Sequence, residues 1–200
     1  MNRHILTILL ALTFAASPAA TAQIREWSYP ETTMQYLPAV AGLGLDFVGV
    51  KAENCFVDRT ITMGISIATE IVLVNCILKN AVKEQRPDGT AWNSFPSGHT
   101  ATAFLGAEIV RQEYGWGWGA AAYAVATSVG VLRAVHNRHW WWDSLAGAGA
   151  GILSANVGYL LRDPFKRLFG IKTKTNLQLA LSPAADPYTG ALCANLSIRF

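Results

Sequence analysis

The chain has 200 residues, of which 52% are hydrophobic and only 14% are charged, with a formal net charge of +3. This length predicts a single domain, and the composition favours a membrane protein or a very apolar helical bundle. The small net charge, without any basic tract, argues against nucleic acid as a partner.

The N-terminus has the pattern of a signal peptide over residues 1–22. Arg3 supplies a charged start, an apolar run follows over residues 5–14, and small residues at Ala20 and Ala22 predict a cleavage site. An uncleaved membrane anchor is the alternative interpretation. In either case we expect export to the bacterial cell envelope.

Five apolar segments follow a polar lead-in, at 34–51, 60–82, 98–112, 117–134 and 141–161. They predict an all-α, membrane-embedded bundle of about five helices within a domain at 23–170. Glu70 and Glu108 fall inside two of the segments, and carboxylates in such positions usually face the bundle interior or water.

The pattern changes after the last apolar segment. Leu177, Leu179 and Leu181 alternate with polar or small residues, and a second alternating run ends at Phe200. This period of two predicts a small β-hairpin in a C-terminal tail at 171–200.

The second apolar segment ends in two cations. Lys79 and Arg86 are seven residues apart, so they can share one helix face, and Pro87 predicts that the helix ends close to Arg86. Together they could hold one phosphate. A solvated cationic helix end explains the same residues without any ligand.

The third apolar segment begins with Pro96-Ser97-Gly98-His99. Ser97 is a candidate N-cap, Gly98 allows close approach of a ligand to the backbone, and a helix start binds anions. His99 would then stand beside the anion as a proton donor. An ordinary capped helix with a surface histidine is the alternative.

His139 and Asp143 are spaced at i and i+4 at the start of the last apolar segment, and Arg133 precedes them. A carboxylate that fixes one ring nitrogen leaves the other as a nucleophile. A capping aspartate beside a packed histidine is the other interpretation. Taken together, however, the three stretches supply anion binders, a proton donor and an oriented nucleophile.

The combined pattern resembles the type-2 phosphatidic acid phosphatase superfamily, which includes lipid phosphatases, bacterial acid phosphatases and vanadium haloperoxidases. The family signature is Lys-x6-Arg-Pro, then Pro-Ser-Gly-His, then Ser-Arg-x5-His-x3-Asp. The chain departs from it at one position, where Leu132 replaces the usual serine. This departure puts fine substrate choice in doubt rather than phosphate binding.

The resemblance implies a role for each matched residue. His139 would attack phosphorus and form a phosphohistidine, Asp143 would orient it, and His99 would protonate the leaving alcohol. The resemblance implies neither a metal nor a cofactor. The phosphoryl oxygens would be held by Lys79, Arg86, Ser97, Gly98 and Arg133.

The order of the segments places all three motifs at one end of an up-and-down bundle. With an exported N-terminus, that end would face the periplasm from the inner membrane. The opposite end would carry a group of basic residues, which agrees with the positive-inside tendency; these are Lys51, Arg59, Arg162, Lys166, Arg167, Lys172 and Lys174.

The sequence therefore predicts a phosphatase acting on a lipid phosphate or pyrophosphate, with no obligate protein partner. Candidate substrates are undecaprenyl pyrophosphate, phosphatidylglycerol phosphate, phosphatidic acid and lipid A. A periplasmic acid phosphatase for small soluble esters is the main alternative. A haloperoxidase, with His139 as the vanadate ligand, and a membrane protein with a dead site fit the chain less well.

Overall fold

The structure is a computed structural model. It describes residues 30–171, together with the backbone of two strands at 178–185 and 192–199. The predicted signal peptide at 1–22 lies outside the described residues.

The described chain begins with short helices. Helix α1 spans Pro30–Met34, and α2 spans Leu37–Gly44 before a 3-10 turn at Leu45–Val48. The eight residues of α2 rise only about 12 Å, whereas a bilayer core is about 30 Å thick. The predicted first segment at 34–51 is therefore not a spanning helix, because its residues are divided among short elements.

The longer helices carry the apolar sequence. Helix α3, Phe56–Glu70, continues through a π-helical stretch at Ile71–Leu78 into α4, Lys79–Ala81; α5 spans Gly98–Val135 and α6 spans Trp141–Leu168. Within the described part of the chain, three helices are long and apolar enough to cross a membrane: Phe56–Ala81, Gly98–Val135 and Trp141–Leu168. The all-α helical architecture is confirmed, and its three long helices have the length and composition to cross a membrane, whereas the count of about five helices is not supported.

Helix α5 consists of two helical legs that meet at Gly115, where the backbone leaves the helical region with a φ of +78°. A Cβ atom at Gly119 would lie 2.9 Å from the Cα atom of Arg111, although eight residues of straight helix span about 12 Å. The rings of Phe104 and Tyr123 are also only 5.7 Å apart. The segments predicted at 98–112 and 117–134 are thus the two antiparallel legs of α5, and the glycine permits the left-handed φ between them.

Glycines bring α6 into close contact with its neighbours. A Cβ atom at Gly151 would lie 2.2 Å from the carbonyl oxygen of Ala101, and one at Gly147 would lie 2.4 Å from that of Ser97. Gly158 is equally tight against Ser66 of α3. Small residues of this kind let helix backbones approach closely in membranes, and here they press α6 against the start of α5.

The two carboxylates inside the apolar helices face the bundle interior, as expected. Glu70 is 6% exposed and Glu108 is 3% exposed. The hydroxyl of Thr102 donates to Glu70 at 3.3 Å. Glu108 accepts hydrogen bonds from Arg111 at 2.6–2.7 Å and from the hydroxyl of Tyr123. These partners compensate the burial of charge.

Two strands follow the helical part: β1, Gln178–Ala185, and β2, Leu192–Arg199. They pair antiparallel, with Gln178 opposite Arg199 and Ala185 opposite Leu192. The residues that connect them lie outside the described part of the chain, so the hairpin as a unit stays a prediction, as does the domain boundary at 170.

Candidate active site

The end of α4 and the starts of α5 and α6 meet at one end of the bundle. The backbone N–H of Ser97, just before α5, donates to the carbonyl of Asp143 in α6 at 3.0 Å. The loop of residues 82–97, which joins α4 to α5, lies over this junction. The three motifs that are separate in the sequence therefore share one site.

The start of α5 has the geometry of an anion site. Ser97 is its N-cap, and its Oγ atom accepts from the backbone N–H of Thr100 at 3.4 Å and from the Thr100 hydroxyl at 2.9 Å. The ammonium group of Lys79 lies 4.0 Å from the position that a Cβ atom at Gly98 would take. A helix N-terminus, a nearby cation and a residue without a side chain together favour binding of a phosphate.

Three cations converge on this helix start. Lys79 lies close enough to Arg86 and Arg133 to interact with their charges, and His99 interacts electrostatically with all three cations. Burial lowers the pKa of Arg86, while the carboxylates of Asp88 and Asp143 oppose that effect. Like charges brought together in this way repel one another, so a bound anion would relieve the repulsion.

His139 is 2% exposed, and its ring is held by the backbone. Its Nδ1 atom lies 2.8 Å from the carbonyl oxygen of Ser94. A carbonyl can only accept, so Nδ1 carries the proton and the Nε2 lone pair is left for chemistry. Burial lowers the pKa of His139, the nearby Asp143 opposes this, and the charges of Arg133 and Arg86 lower it further. These effects favour the neutral ring, which is the form that a nucleophile requires.

Asp143 lies beside His139 but is more tightly bound to other groups. Its Oδ2 atom is 3.6 Å from Nδ1 of His139. The same oxygen accepts from the hydroxyl of Ser94 at 2.5 Å and from the backbone N–H of Trp140 at 2.9 Å. Asp143 thus caps the start of α6 and fixes Ser94, whose carbonyl in turn fixes His139.

The loop of residues 82–97 is attached to the start of α6 by indole groups. Trp142 donates to the carboxylate of Glu84 at 2.9 Å, and Trp140 donates to the carbonyl of Gln85 at 3.0 Å. The backbone carbonyl of Glu84 also accepts from the N–H of Ser94 at 2.9 Å. Burial and the adjacent Asp143 raise the pKa of Glu84, and its bond from Trp142 opposes them.

The far side of Arg133 is occupied by the N-terminal part of the chain. Arg133 and Glu31 are both 0% exposed. The Nη1 atom of Arg133 lies 3.9 Å from Oε1 of Glu31, and Nδ1 of His136 lies 2.9 Å from the same oxygen. Arg138, close by, is paired with Asp88 at 2.9 Å.

All of the predicted site residues lie at this end of the bundle, and their catalytic and binding roles stay predictions; they are Lys79, Arg86, Ser97, Gly98, His99, Arg133, His139 and Asp143. Sequence reasoning missed Ser94, Glu84 and Glu31. Each of these residues contacts a partner that is distant in the sequence and belongs to a different segment. Ser94, for example, is 45 residues from His139. Their sequence signal is position alone, since Glu84 lies at a variable position between Lys79 and Arg86, and Ser94 comes just before Pro96.

Comparison with known proteins agrees with this site. Residues 59–167 match the PAP2 superfamily, which is more than half of the chain. The lipid A 1-phosphatase of Porphyromonas gingivalis is 38% identical over 140 residues, covering 66% of this chain and 31% of that protein. The chain thus aligns with about a third of its relative's length. No solved structure matches the chain. The chain belongs to the PAP2 superfamily.

Proposed function

We propose that this chain is a phosphatase that removes phosphate from a membrane lipid through a covalent intermediate on His139. The observation that carries the proposal is the bond from Nδ1 of His139 to the carbonyl of Ser94, which leaves the Nε2 lone pair of the neutral ring free, within reach of the charges of Arg133 and Arg86. Membership of the PAP2 superfamily and the similarity to a lipid A 1-phosphatase support the same reaction class.

The first step transfers the phosphoryl group to the enzyme. The lone pair of Nε2 of His139 attacks phosphorus, and the bond from phosphorus to the lipid oxygen breaks. His99 gives its proton to that leaving oxygen, so the lipid departs as an alcohol and a phosphohistidine remains. A phosphate dianion bound beside His99 favours the protonated imidazole that this step requires.

The second step releases phosphate. The neutral His99 takes a proton from water as the water oxygen attacks phosphorus, and the bond to Nε2 of His139 breaks. Inorganic phosphate leaves, and both histidines return to their starting protonation states. Lys79, Arg86 and Arg133, with the start of α5 at Ser97 and Gly98, stabilise the charge on the phosphoryl oxygens in both steps.

A groove beside the site supports a lipid rather than a soluble substrate. It has a volume of about 310 Å³ and lies between the second leg of α5 and α6. Two of its hydroxyl groups are already occupied, because Thr100 donates to Ser97 at 2.9 Å and Ser144 donates to the carbonyl of Gly130 at 3.1 Å. The groove therefore offers hydrocarbon surface, which suits an acyl chain; it is lined by Thr100, Phe104, Thr127, Gly130, Val131, Ala134, Val135, Trp141, Ser144, Leu145 and Ala148.

The site is proposed to face the periplasm from the inner membrane, after export by the signal peptide at 1–22. The proposal is supported by basic residues at the opposite end of α6, namely Arg162, Lys166 and Arg167. A cysteine in place of Asp88, in a variant with the native cysteines changed to serine, should react with a membrane-impermeant maleimide in intact cells. A cysteine in place of Lys51 should not react, and the reverse labelling would contradict this orientation.

A panel of substrates separates lipid from soluble substrates. Phosphate release by the detergent-solubilised protein is measured, with EDTA present, on lipid A, phosphatidic acid, phosphatidylglycerol phosphate, undecaprenyl pyrophosphate and p-nitrophenyl phosphate. We expect release from a lipid, lost in His139→Gln and indifferent to EDTA. Release from p-nitrophenyl phosphate alone would instead support the alternative, an acid phosphatase for small soluble monoesters.

A further inference from the structure

Glu31 is a fully buried carboxylate outside the part of the chain that matches the PAP2 superfamily. It lies in α1, and its partners are at the end of α5. Its Oε1 atom accepts a hydrogen bond from Nδ1 of His136 at 2.9 Å and lies 3.9 Å from Nη1 of Arg133. Its Oε2 atom has no hydrogen-bond partner among the described residues. A carboxylate buried in this way is costly unless the charges around it are held in place.

Arg133 is suited to link Glu31 to the phosphate site. A guanidinium group presents five donors in a rigid plane, so it can face a carboxylate on one edge and phosphate oxygens on another. The Arg133 side chain is completely buried, which means that its orientation is decided by neighbouring groups rather than by solvent. Glu31 is the carboxylate paired with it from α1.

We propose that Glu31 is a positioning residue, which orients Arg133 for the phosphoryl group and holds His136 at the end of α5. The active site is then completed by a residue that precedes the family-matched region. The inference rests on the proposed function in so far as Arg133 is taken to bind phosphate.

The change in phosphate affinity when Glu31 is neutralised distinguishes an orienting role from mere electrostatic repulsion of the anion. A negative charge near an anion site repels the anion, so neutralising it should strengthen phosphate binding if Glu31 does nothing else. If Glu31 orients Arg133, neutralising it should weaken phosphate binding, because the guanidinium loses its alignment. A purely structural role would lower thermal stability and leave the affinity of the folded protein unchanged.

The test uses the full chain in detergent and inorganic phosphate as the probe, measured by calorimetry and by competitive inhibition of turnover. For Glu31→Gln we expect the phosphate Kd to rise about tenfold and kcat to fall by a similar factor. The control Glu53→Gln makes the same charge change at an exposed position near α3, at the other end of the bundle, and should leave both values within about twofold. Unchanged or tighter phosphate binding in Glu31→Gln would overturn the proposal.

Two further variants keep the test decisive. Glu31→Asp retains the charge and shortens the side chain, so a simple charge effect predicts no change, whereas positioning predicts weaker binding. It also replaces Glu31→Gln if that variant fails to fold. In the Arg133→Lys background, Glu31→Gln should add little further loss, and fully additive losses would contradict coupling between the two residues.

Phosphate binding requires no turnover, so the two proposals can fail separately. A wild-type protein that binds phosphate but hydrolyses no lipid would refute the proposed function, and the affinities of the Glu31 variants would still test positioning. A wild-type protein that binds no phosphate would refute both.

Discussion

Nδ1 of His139 lies 2.8 Å from the carbonyl oxygen of Ser94, whereas the nearest carboxylate oxygen of Asp143 is 3.6 Å from the same nitrogen. The backbone therefore selects the tautomer of His139. The carboxylate of Asp143 acts on His139 indirectly. It accepts a hydrogen bond from the Ser94 hydroxyl, which fixes Ser94, and it caps α6 by accepting from the N–H of Trp140. This arrangement differs from a catalytic triad, in which the carboxylate itself bonds the histidine.

The first prediction concerns Asp143→Asn. The asparagine carbonyl can still accept from Ser94 and Trp140, and the tautomer of His139 is held by the Ser94 carbonyl. The loss of kcat should therefore be about 10–100-fold, from the missing charge, rather than the roughly 10⁴-fold loss seen when a triad aspartate is neutralised and the tautomer becomes wrong. The measurement is kcat for phosphate release, with circular dichroism to confirm folding. A loss as large as that of His139→Gln would show that Asp143 controls the tautomer directly.

The second prediction concerns the protonation of His139. Burial lowers the pKa of His139 from the ordinary value of 6.5. Asp143 opposes this shift, whereas the charges of Arg133 and Arg86 lower the pKa further. A depressed pKa means that the neutral, nucleophilic form persists as the pH falls through 6.5 and is lost only at lower pH. Nitrogen-15 histidine NMR of the free protein should show a neutral ring with a protonated Nδ1 at pH 6.5. Assignment comes from the signal missing in His139→Gln, and titration at or above 6.5 would contradict the prediction.

Much of this site could be predicted because each motif is local. Ser97 caps the helix that carries His99, and seven residues separate Lys79 from Arg86, so short spacings identify these residues. The helix face predicted to carry both Lys79 and Arg86 is not observed, because α4 ends at Ala81 and Arg86 lies in the loop that follows. The contacts that hold the motifs together are not local. Glu31 and His136 are 105 residues apart, and Trp142 and Glu84 are 58 apart. No period or spacing relates such pairs, and they become neighbours only when the helices pack.

The helical fold was likewise predictable only where local sequence patterns determine it. Hydropathy identifies apolar runs, but it does not show whether a glycine between two of them joins or separates helices. At Gly115 the backbone leaves helical geometry, and the two legs of α5 on either side of it run antiparallel. The first apolar run, at 34–51, has the composition of a span, but its residues divide among the end of α1, α2 and a 3-10 turn.

The third prediction concerns the contact between α5 and α6. In Gly151→Ala the new Cβ atom would lie 2.2 Å from the carbonyl oxygen of Ala101, so the two backbones must separate. We expect a loss of about 1–3 kcal/mol in the free energy of unfolding, measured by thermal unfolding in detergent. Gly149→Ala is the matched control, because its new methyl group would meet no neighbouring element within 4 Å. Equal stability of the two variants would show that α6 does not pack through Gly151.

The fourth prediction concerns the apolar groove. Ala148→Leu adds side-chain volume to the groove wall. If an acyl chain of the substrate lies there, displacing about two methylene groups should lower kcat/KM roughly tenfold, at about 0.8 kcal/mol for each group. Activity on p-nitrophenyl phosphate should stay the same. Ala68→Leu, at an exposed position of α3, an element that does not line the groove, serves as the control. Equal losses on both substrates would mean that the groove does not bind the lipid chain.

The most direct test of the whole account is to trap the phosphoenzyme. The protein is mixed with a phosphorus-32-labelled lipid that it hydrolyses, quenched in alkali within milliseconds, digested and analysed by mass spectrometry. The account predicts label that is stable in alkali and labile in acid, carried by His139 and absent from His139→Gln. Label on any other residue, or turnover that continues in His139→Gln, would contradict the assignment of His139 as the nucleophile.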